Sequence, residues 1–158
     1  MSLLPKRLPL TLLLLSRLLL GATLLWAGGA KLPEPAFFAQ TVRAYEVLPL
    51  PLIHPFAIVV PWIEVTAGLC LLLGFWTRSS ALAALLLLLS FAVALGVNLH
   101  RGADLSCGCF ALDGTGGSLG EALLRDALLI AVALLLLTRS APLSLDRLLD
   151  RRSQIEDA

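Results

Sequence analysis

Two cysteines separated by a single glycine, Cys107-Gly108-Cys109, are the residues of this sequence whose spacing best suits chemistry. A disulfide between residues two apart closes a small, strained ring, and strain raises the reduction potential of a disulfide. Gly108 supplies the backbone freedom that such a ring requires. A static cross-link would stabilise little, because the loop that it closes is tiny. The pair therefore favours thiol–disulfide exchange, with a static disulfide and a metal site as alternatives.

Cationic side chains lie on both sides of this pair in the sequence. His100 and Arg101 precede it and Arg125 follows it. A neighbouring cation stabilises the thiolate that attacks in exchange reactions, and His100 could also shuttle protons. These roles make His100 and Arg125, with the two cysteines, the candidate catalytic residues. The alternatives are that His100 and Arg101 mark a membrane interface and that Arg125 pairs with Glu121, four residues earlier.

A metal site at the cysteine pair would recruit His100 or Asp104 and would suit copper(I) or zinc. Two cysteines with one intervening residue are a weak ligand pattern alone, so the leading expectation contains no metal ligand. Cys70 lies in a different apolar stretch, 55–74, near its C-terminal end. A cysteine in such a position is typically a small buried apolar residue.

Arg17 and Glu64 are charged residues within long apolar stretches, where a charge costs about 2.5 to 3.5 kcal/mol on insertion scales. Counted from the ends of their predicted helices, both lie near the middle of the membrane. We therefore expect them to pair across antiparallel helices. One interpretation is an ion pair that fixes helix register, and the other is a polar site that binds a quinone head group or relays protons.

The composition indicates a membrane protein. Of the 158 residues, 58% are hydrophobic and 15% are charged, and the mean hydropathy is +0.91. A soluble domain carries about 25% charged residues, so a soluble enzyme is excluded. The net charge is +1 and the charges fall in short clusters, so the sequence has no basic patch of the kind that binds nucleic-acid phosphates. We therefore expect no nucleic-acid partner.

Four stretches are long and apolar enough to cross a lipid bilayer, which requires about 20 residues. We place them at about 8–30, 55–74, 80–99 and 119–137, within a single membrane domain of residues 1–158. Pro55 suits the first position of the second helix, and Ser118 with Glu121 predicts a capping box at the start of the fourth. The first stretch is expected to be retained rather than cleaved as a signal peptide, because it is long and contains Arg17. Small residues predict close helix contacts at Gly21, Gly28, Gly29, Gly68, Ala92 and Gly96.

Lysine and arginine in short loops predict the orientation, because positively charged loops stay in the cytoplasm. The outer side has Lys31, Arg43 and Arg101. The other side has more positive charges, at Lys6, Arg7, Arg78, Arg139, Arg147, Arg151 and Arg152. Both termini, including the tail 138–158, should therefore be cytoplasmic in the inner membrane of the cell. The cysteine pair should lie on the extracytoplasmic, oxidising side.

The first outer segment contains apolar residues at helical spacing, Phe38, Val42, Tyr45 and Leu48, between clusters of prolines. This pattern predicts a short amphipathic helix that lies on the outer membrane face. It would serve either as a surface anchor or as a lid over the helix bundle.

Several of these features together resemble the MauE/DoxX-like family of four-helix membrane proteins. The resemblance rests on the run 26–32 (Trp-Ala-Gly-Gly-Ala-Lys-Leu), the segment 37–49, Glu64 with Gly68, and Cys107-Gly108-Cys109-Phe110. It extends from about Arg17 to Leu137, and its most specific element is the Cys-Gly-Cys-Phe run. This sequence has Ala111 where the family leads us to expect glycine.

The resemblance implies an all-α membrane four-helix bundle with a role in periplasmic redox maturation. MauE is associated with making methylamine dehydrogenase, whose small subunit is rich in disulfides, and acts alongside a thioredoxin-like partner. DoxX relatives are linked to quinones. The function expected here is a thiol–disulfide oxidoreductase that uses Cys107 and Cys109, with Arg17 and Glu64 as the polar pair near a quinone. The alternatives are a binding or transport protein that uses the Arg–Glu pair, and a protein that handles copper or zinc.

Overall fold

The computed structural model describes residues 10–102 and 119–138, and every regular element in these ranges is an α-helix. In chain order the helices are α1 (Leu10–Lys31), α2 (Pro35–Ala44), α3 (Leu50–Leu73), α4 (Thr77–His100) and α5 (Leu119–Thr138). The predicted all-α class is confirmed.

Three of these helices are long and apolar enough to cross a membrane. They are α1, α3 and α4, whose apolar stretches comprise 21, 24 and 24 residues. The α5 helix has 20 residues but carries Glu121, Arg125 and Asp126 in its first two turns. The structure thus supports a helical membrane protein, and α5 as a fourth span stays a prediction.

The start of α3 corrects the prediction at Pro55. The helix begins at Leu50, with Pro49 as its N-cap and Pro51 in its first turn, and both Pro55 and Pro61 lie inside it. Several prolines in this segment are compatible with a helix start, because the first-turn N–H groups have no partner within a helix. Pro55 therefore did not identify the start, which lies one turn and a half earlier.

The predicted amphipathic helix is present as α2, and it packs on the bundle. Phe38 and Val42 of α2 and Tyr45 at its C-terminal end are buried. They form one apolar cluster with residues of α3, α4 and α5, here called the upper core: Ile53, Ala57, Val60, Leu87, Phe91, Leu95 and Ala122. The α2 helix therefore covers one end of the bundle.

A second apolar cluster, the lower core, fills the other half of the bundle. It joins α1, α3, α4 and α5 through Leu20, Leu24, Ala67, Leu71, Ala81, Ala84, Leu88, Leu129, Ala133 and Leu136. Glu64 lies on α3 between Val60 of the upper core and Ala67 of the lower core. The buried polar site described below thus separates the two apolar clusters.

Glycines bring α1 and α3 into backbone contact. A Cβ atom added to Gly68 would lie 2.8 Å from the carbonyl oxygen of Gly21, and one added to Gly28 would lie 2.8 Å from that of Pro61. Gly21, Gly28 and Gly68 therefore confirm the predicted close contacts. Gly29 and Gly96 do not, because no atom lies within 4 Å of a Cβ added at either position.

Candidate functional site

A buried ion pair connects the C-terminal end of α1 to the middle of α3. The Lys31 Nζ donates to both carboxylate oxygens of Glu64, at 2.6 Å and 2.9 Å. The exposed fractions of the two side chains are 1% and 2%. Removing either charge would leave the other buried and unpaired, which typically costs several kcal/mol, so this pair constrains how α1 and α3 pack.

Two aromatic rings complete the surroundings of Lys31. Its Nζ lies 5.1 Å from the ring centroid of Phe38 on α2 and 4.7 Å from that of Phe91 on α4. A desolvated cation at this distance from a ring face gains about 2 kcal/mol. The single ammonium group therefore contacts side chains from α2, α3 and α4, and it links the covering helix to the bundle. We call Lys31, Glu64, Phe38 and Phe91 the ion-pair site.

The register of α1 on α3 explains why Lys31 reaches Glu64. Gly28 lies one turn before Lys31 on the same side of α1, and a Cβ added there would lie 2.9 Å from the Cβ of Glu64. The absence of a side chain at Gly28 lets the helices approach until the lysine stem can extend along α3. The lysine was missed from the sequence because it lies at the helix end, where a positive charge is typical of a loop.

The predicted pairing of Arg17 with Glu64 is wrong. Both oxygens of Glu64 contact Lys31, whereas the Arg17 guanidinium lies beside Gly74, so that a Cβ added to Gly74 would be 2.8 Å from Nη1. Gly74 follows Glu64 by ten residues, or about 15 Å along a helix. The N-terminal part of α1 extends beyond the end of α3, which places Arg17 level with that end. The structure therefore does not bring Arg17 and Glu64 together as one binding site.

A small cavity of about 20 Å³ lies beside the ion-pair site. Its lining includes Thr23 and Leu24 of α1, Leu88 of α4 and Leu129 of α5. A cavity of this size accommodates about one water molecule. It offers room for a proton-carrying water but not for an organic substrate.

A larger apolar cavity contacts Phe91 and lies between the end of α2 and the C-terminal half of α4. We call it the aromatic groove, and its volume is about 390 Å³. It is lined by Val42, Tyr45, Val47, Leu48, Phe56, Leu89, Ser90, Phe91, Val93 and Ala94. Phe91 lines both cavities and belongs to the ion-pair site, so the groove adjoins that site through this residue.

Asn98 fixes one wall of this groove. Its side-chain nitrogen donates to the carbonyl oxygen of Tyr45 at 3.0 Å and to that of Ala94 at 2.9 Å. Asn98 is buried, with 3% of its surface exposed. The chain leaving α2 then turns at Glu46, whose φ is 49°, a conformation rare for residues other than glycine. The end of α2 is therefore held against the last turns of α4.

Two of the four predicted catalytic residues, His100 and Arg125, lie in the part of the chain that the structure describes. Cys107 and Cys109 lie outside the described residues. His100 is the last residue of α4 and is exposed. The Arg125 side chain is 41% exposed, and its Nε lies 4.0 Å from Oδ1 of Asp126. The roles of all four in catalysis stay predictions.

Asp126 of α5 is buried, with 2% of its surface exposed, although it was not among the residues predicted for the site. Leu129 lines the small cavity and follows Asp126 by three residues, so both occupy one face of α5. The spacing of Ala122, Leu129, Ala133 and Leu136 was the available signal for that inward face.

No group of three or more His, Cys, Asp or Glu side chains that could hold a metal ion occurs in the ranges 10–102 and 119–138. The copper or zinc alternative involves Asp104 and the cysteine pair, which lie beyond these ranges. It stays a prediction.

Residues 9–139 match the family model described as methylamine utilisation protein MauE. This match covers all five helices. The chain belongs to the MauE family. Membership confirms the MauE part of the resemblance, and the likeness to DoxX stays a prediction. Both the ion-pair site and the Cys-Gly-Cys run lie inside the region that the family shares.

Three curated relatives carry the name methylamine utilization protein MauE. The protein from Methylorubrum extorquens AM1 is 32% identical over 81 residues, which is 51% of this chain and 44% of the relative. The protein from Methylophilus methylotrophus is 35% identical over 80 residues, 50% of this chain and 42% of the relative. The protein from Paracoccus denitrificans is 35% identical over 95 residues, 60% of this chain and 51% of the relative.

This member of the MauE family therefore spans about half the length of the curated relatives that it matches. No solved structure matches it significantly.

Proposed function

We propose that this MauE-family protein is a membrane thiol–disulfide oxidoreductase that supports disulfide formation in an extracytoplasmic partner. The reacting groups are the sulfurs of Cys107 and Cys109, with His100 and Arg125 nearby in the chain. Since the relatives are named for methylamine utilisation, the final substrate is a disulfide-rich component of that system. A thioredoxin-like protein is the direct partner.

This proposal rests on where the segment that holds the cysteines is attached to the helix bundle. It leaves α4 after His100 and enters α5 at Leu119. Asn98 contacts the backbone of Tyr45, and Ala122 belongs to the upper core, so both helix ends pack beside α2. The positive charges of the sequence favour the extracytoplasmic side for this end, where disulfides persist.

The exchange conserves electrons and protons. A partner thiolate attacks the Cys107–Cys109 disulfide and forms a mixed disulfide, and a second partner thiolate then releases the chain. The partner gains a disulfide, while Cys107 and Cys109 become thiols. To return to the disulfide, the two thiols give two electrons and two protons to a lipid-soluble quinone, which becomes a quinol.

The ion-pair site supports this function by holding α2 in place on the bundle. By binding α2 to α1, α3 and α4, it gives the cysteine segment a rigid platform, as exchange with a docking protein requires. The transport alternative relied on Arg17 and Glu64 as one polar site, and these residues are about ten residues of helix apart. The small cavity beside Glu64 is also too small for an organic ligand.

Cys109→Ser is expected to accumulate a mixed disulfide between Cys107 and the partner. The Cys107 thiolate attacks the disulfide of the oxidised partner, in the reverse of the exchange, and the Cys109 thiolate that would then release the partner is gone. The measurement is acid quenching of cells, alkylation, and non-reducing electrophoresis with mass spectrometry of the trapped species. Cys70→Ser in the same background is the matched control and should leave the adduct unchanged. If neither Cys109→Ser nor Cys107→Ser captures a protein, exchange at this pair is wrong.

A further inference from the structure

The aromatic groove has the dimensions and lining of a binding site for a ring-bearing ligand. Its volume of about 390 Å³ lies in the range of small-molecule pockets, and it is more than twice an engineered cavity that binds benzene. Three of its lining residues are aromatic: Tyr45, Phe56 and Phe91. Flat ligands gain from stacking against such rings, whereas an acyl chain gains only from its buried area.

The groove also opens where a membrane-dissolved ligand would enter. Leu89 and Val93 form part of its lining on α4 and are exposed, with Val93 showing 59% of its surface. Since α4 is one of the three helices apolar enough to span a membrane, these exposed side chains face the lipid phase. A ligand carried in the bilayer can therefore reach the groove laterally, without crossing an aqueous surface.

The walls of the groove are fixed rather than adaptable. Asn98 binds the backbone at Tyr45, and the Phe38 ring stacks on Phe56 with centroids 6.5 Å apart. Phe91 is held against the Lys31 ammonium at 4.7 Å. A ring that enters the groove would contact Phe91, whose position the Lys31 ammonium helps to fix. A rigid aromatic wall favours a flat, rigid ring over a flexible chain, because the chain loses more conformational freedom on binding.

We infer that the aromatic groove binds a lipid-soluble quinone, with the quinone ring beside Phe91 and its tail directed to the lipid past Val93. This inference rests on the proposed function, because dithiol oxidation requires a two-electron acceptor in the membrane. Tyr45 and Ser90 place hydroxyl groups among the apolar lining. The Ser90 hydroxyl donates to the Leu87 carbonyl at 2.7 Å, and rotation away from that carbonyl would let it orient a ring carbonyl instead.

Photoaffinity labelling of the detergent-purified protein tests the inference. The probe is a benzoquinone that carries an aryl azide and a ten-carbon tail, and peptides are mapped by mass spectrometry. We expect labelling within 42–48 and 89–94, at least tenfold reduced by an excess of the same quinone without the azide. A ten-carbon fatty acid should not compete. Equal competition by the fatty acid would show a lipid-chain site and would overturn the inference.

Ala94→Phe fills the groove and is expected to reduce labelling at least fivefold. Leu86→Phe is the matched control, since Leu86 lies on the same helix, is exposed and does not line the groove, so labelling should be unchanged. If Ala94→Phe does not fold, Val93→Trp narrows the exposed rim and should give the same loss. Labelling that persists in both groove variants would contradict the site.

The same labelling in a Cys107→Ser, Cys109→Ser variant separates this inference from the proposed function. Quinone binding should persist there, because the groove contains neither cysteine. Trapping of a mixed disulfide without groove labelling would overturn the quinone site and leave thiol exchange intact. Groove labelling without any trapped partner would support the quinone site and overturn thiol exchange.

Discussion

Glu64→Ala is expected to remove most of the folded protein, and we predict the largest loss of stability for this substitution. It would leave the Lys31 ammonium buried, with 1% of its surface exposed, and without the carboxylate that accepts two hydrogen bonds from it. Breaking a buried pair in this way costs about 3 to 5 kcal/mol. The expected result is a thermal unfolding midpoint lower by about 10 °C or more in detergent.

Two further variants make this prediction specific to the ion pair. Glu34→Ala removes the same charge from an exposed position that makes no side-chain capping bond, so it should leave the midpoint within about 2 °C of the original. Lys31→Met with Glu64→Leu replaces both charges by apolar groups and should recover most of the loss. A Glu64→Ala protein as stable as Glu34→Ala would show that the pair contributes nothing.

Gly68→Leu is expected to force α1 and α3 apart. Its first side-chain atom alone would lie 2.8 Å from the Gly21 carbonyl oxygen and 2.8 Å from the Leu25 nitrogen, and neither backbone atom can move without moving a helix. Overpacking of this kind costs about 1 to 3 kcal/mol, and often more against backbone. Since the ion pair depends on the same helix contact, the Lys31–Glu64 geometry should be lost as well.

The control for this prediction is Gly29→Leu, because no atom lies within 4 Å of a Cβ added at Gly29. Leucine also has a higher helix propensity than glycine, so Gly29→Leu should be neutral or stabilising by up to about 1 kcal/mol. The measurement is the thermal unfolding midpoint of each variant in the same detergent, and we expect that of Gly68→Leu to be the lower. Equal midpoints would mean that the glycine contact between α1 and α3 does not hold the bundle.

The helices themselves could be predicted because their signals are local. The apolar spacing of Phe38, Val42 and Tyr45 indicated α2, and these side chains are indeed its buried face. The start of α3 could not be placed as well, since Pro49, Pro51 and Pro55 all suit a helix start and only the fold decides among them. Local pattern therefore identified the elements better than their ends.

The ion pair was predicted with the wrong cation for a physical reason. Counting residues from predicted helix ends assumes that neighbouring helices end at the same level, and α1 extends past the end of α3 to place Arg17 beside Gly74. Lysine also carries its charge on a long stem, so its position in the sequence does not fix where the charge lies. Gly28 and Gly68 set the register that brings Lys31 to Glu64, and that register is a tertiary property.

Labelling of intact cells reports whether the cysteine pair is extracytoplasmic and oxidised, as thiol–disulfide exchange with an extracytoplasmic partner requires. Intact cells are treated with a membrane-impermeant maleimide polymer, before and after an impermeant phosphine reductant, in a Cys70→Ser background. Ser79→Cys, exposed at the opposite end of the bundle from α2, reports the cytoplasmic side. We expect Cys107 and Cys109 to gain two labels only after reduction, and Ser79→Cys to be labelled only after lysis. Labelling of the pair without reductant under every growth condition, or only after lysis, would contradict it.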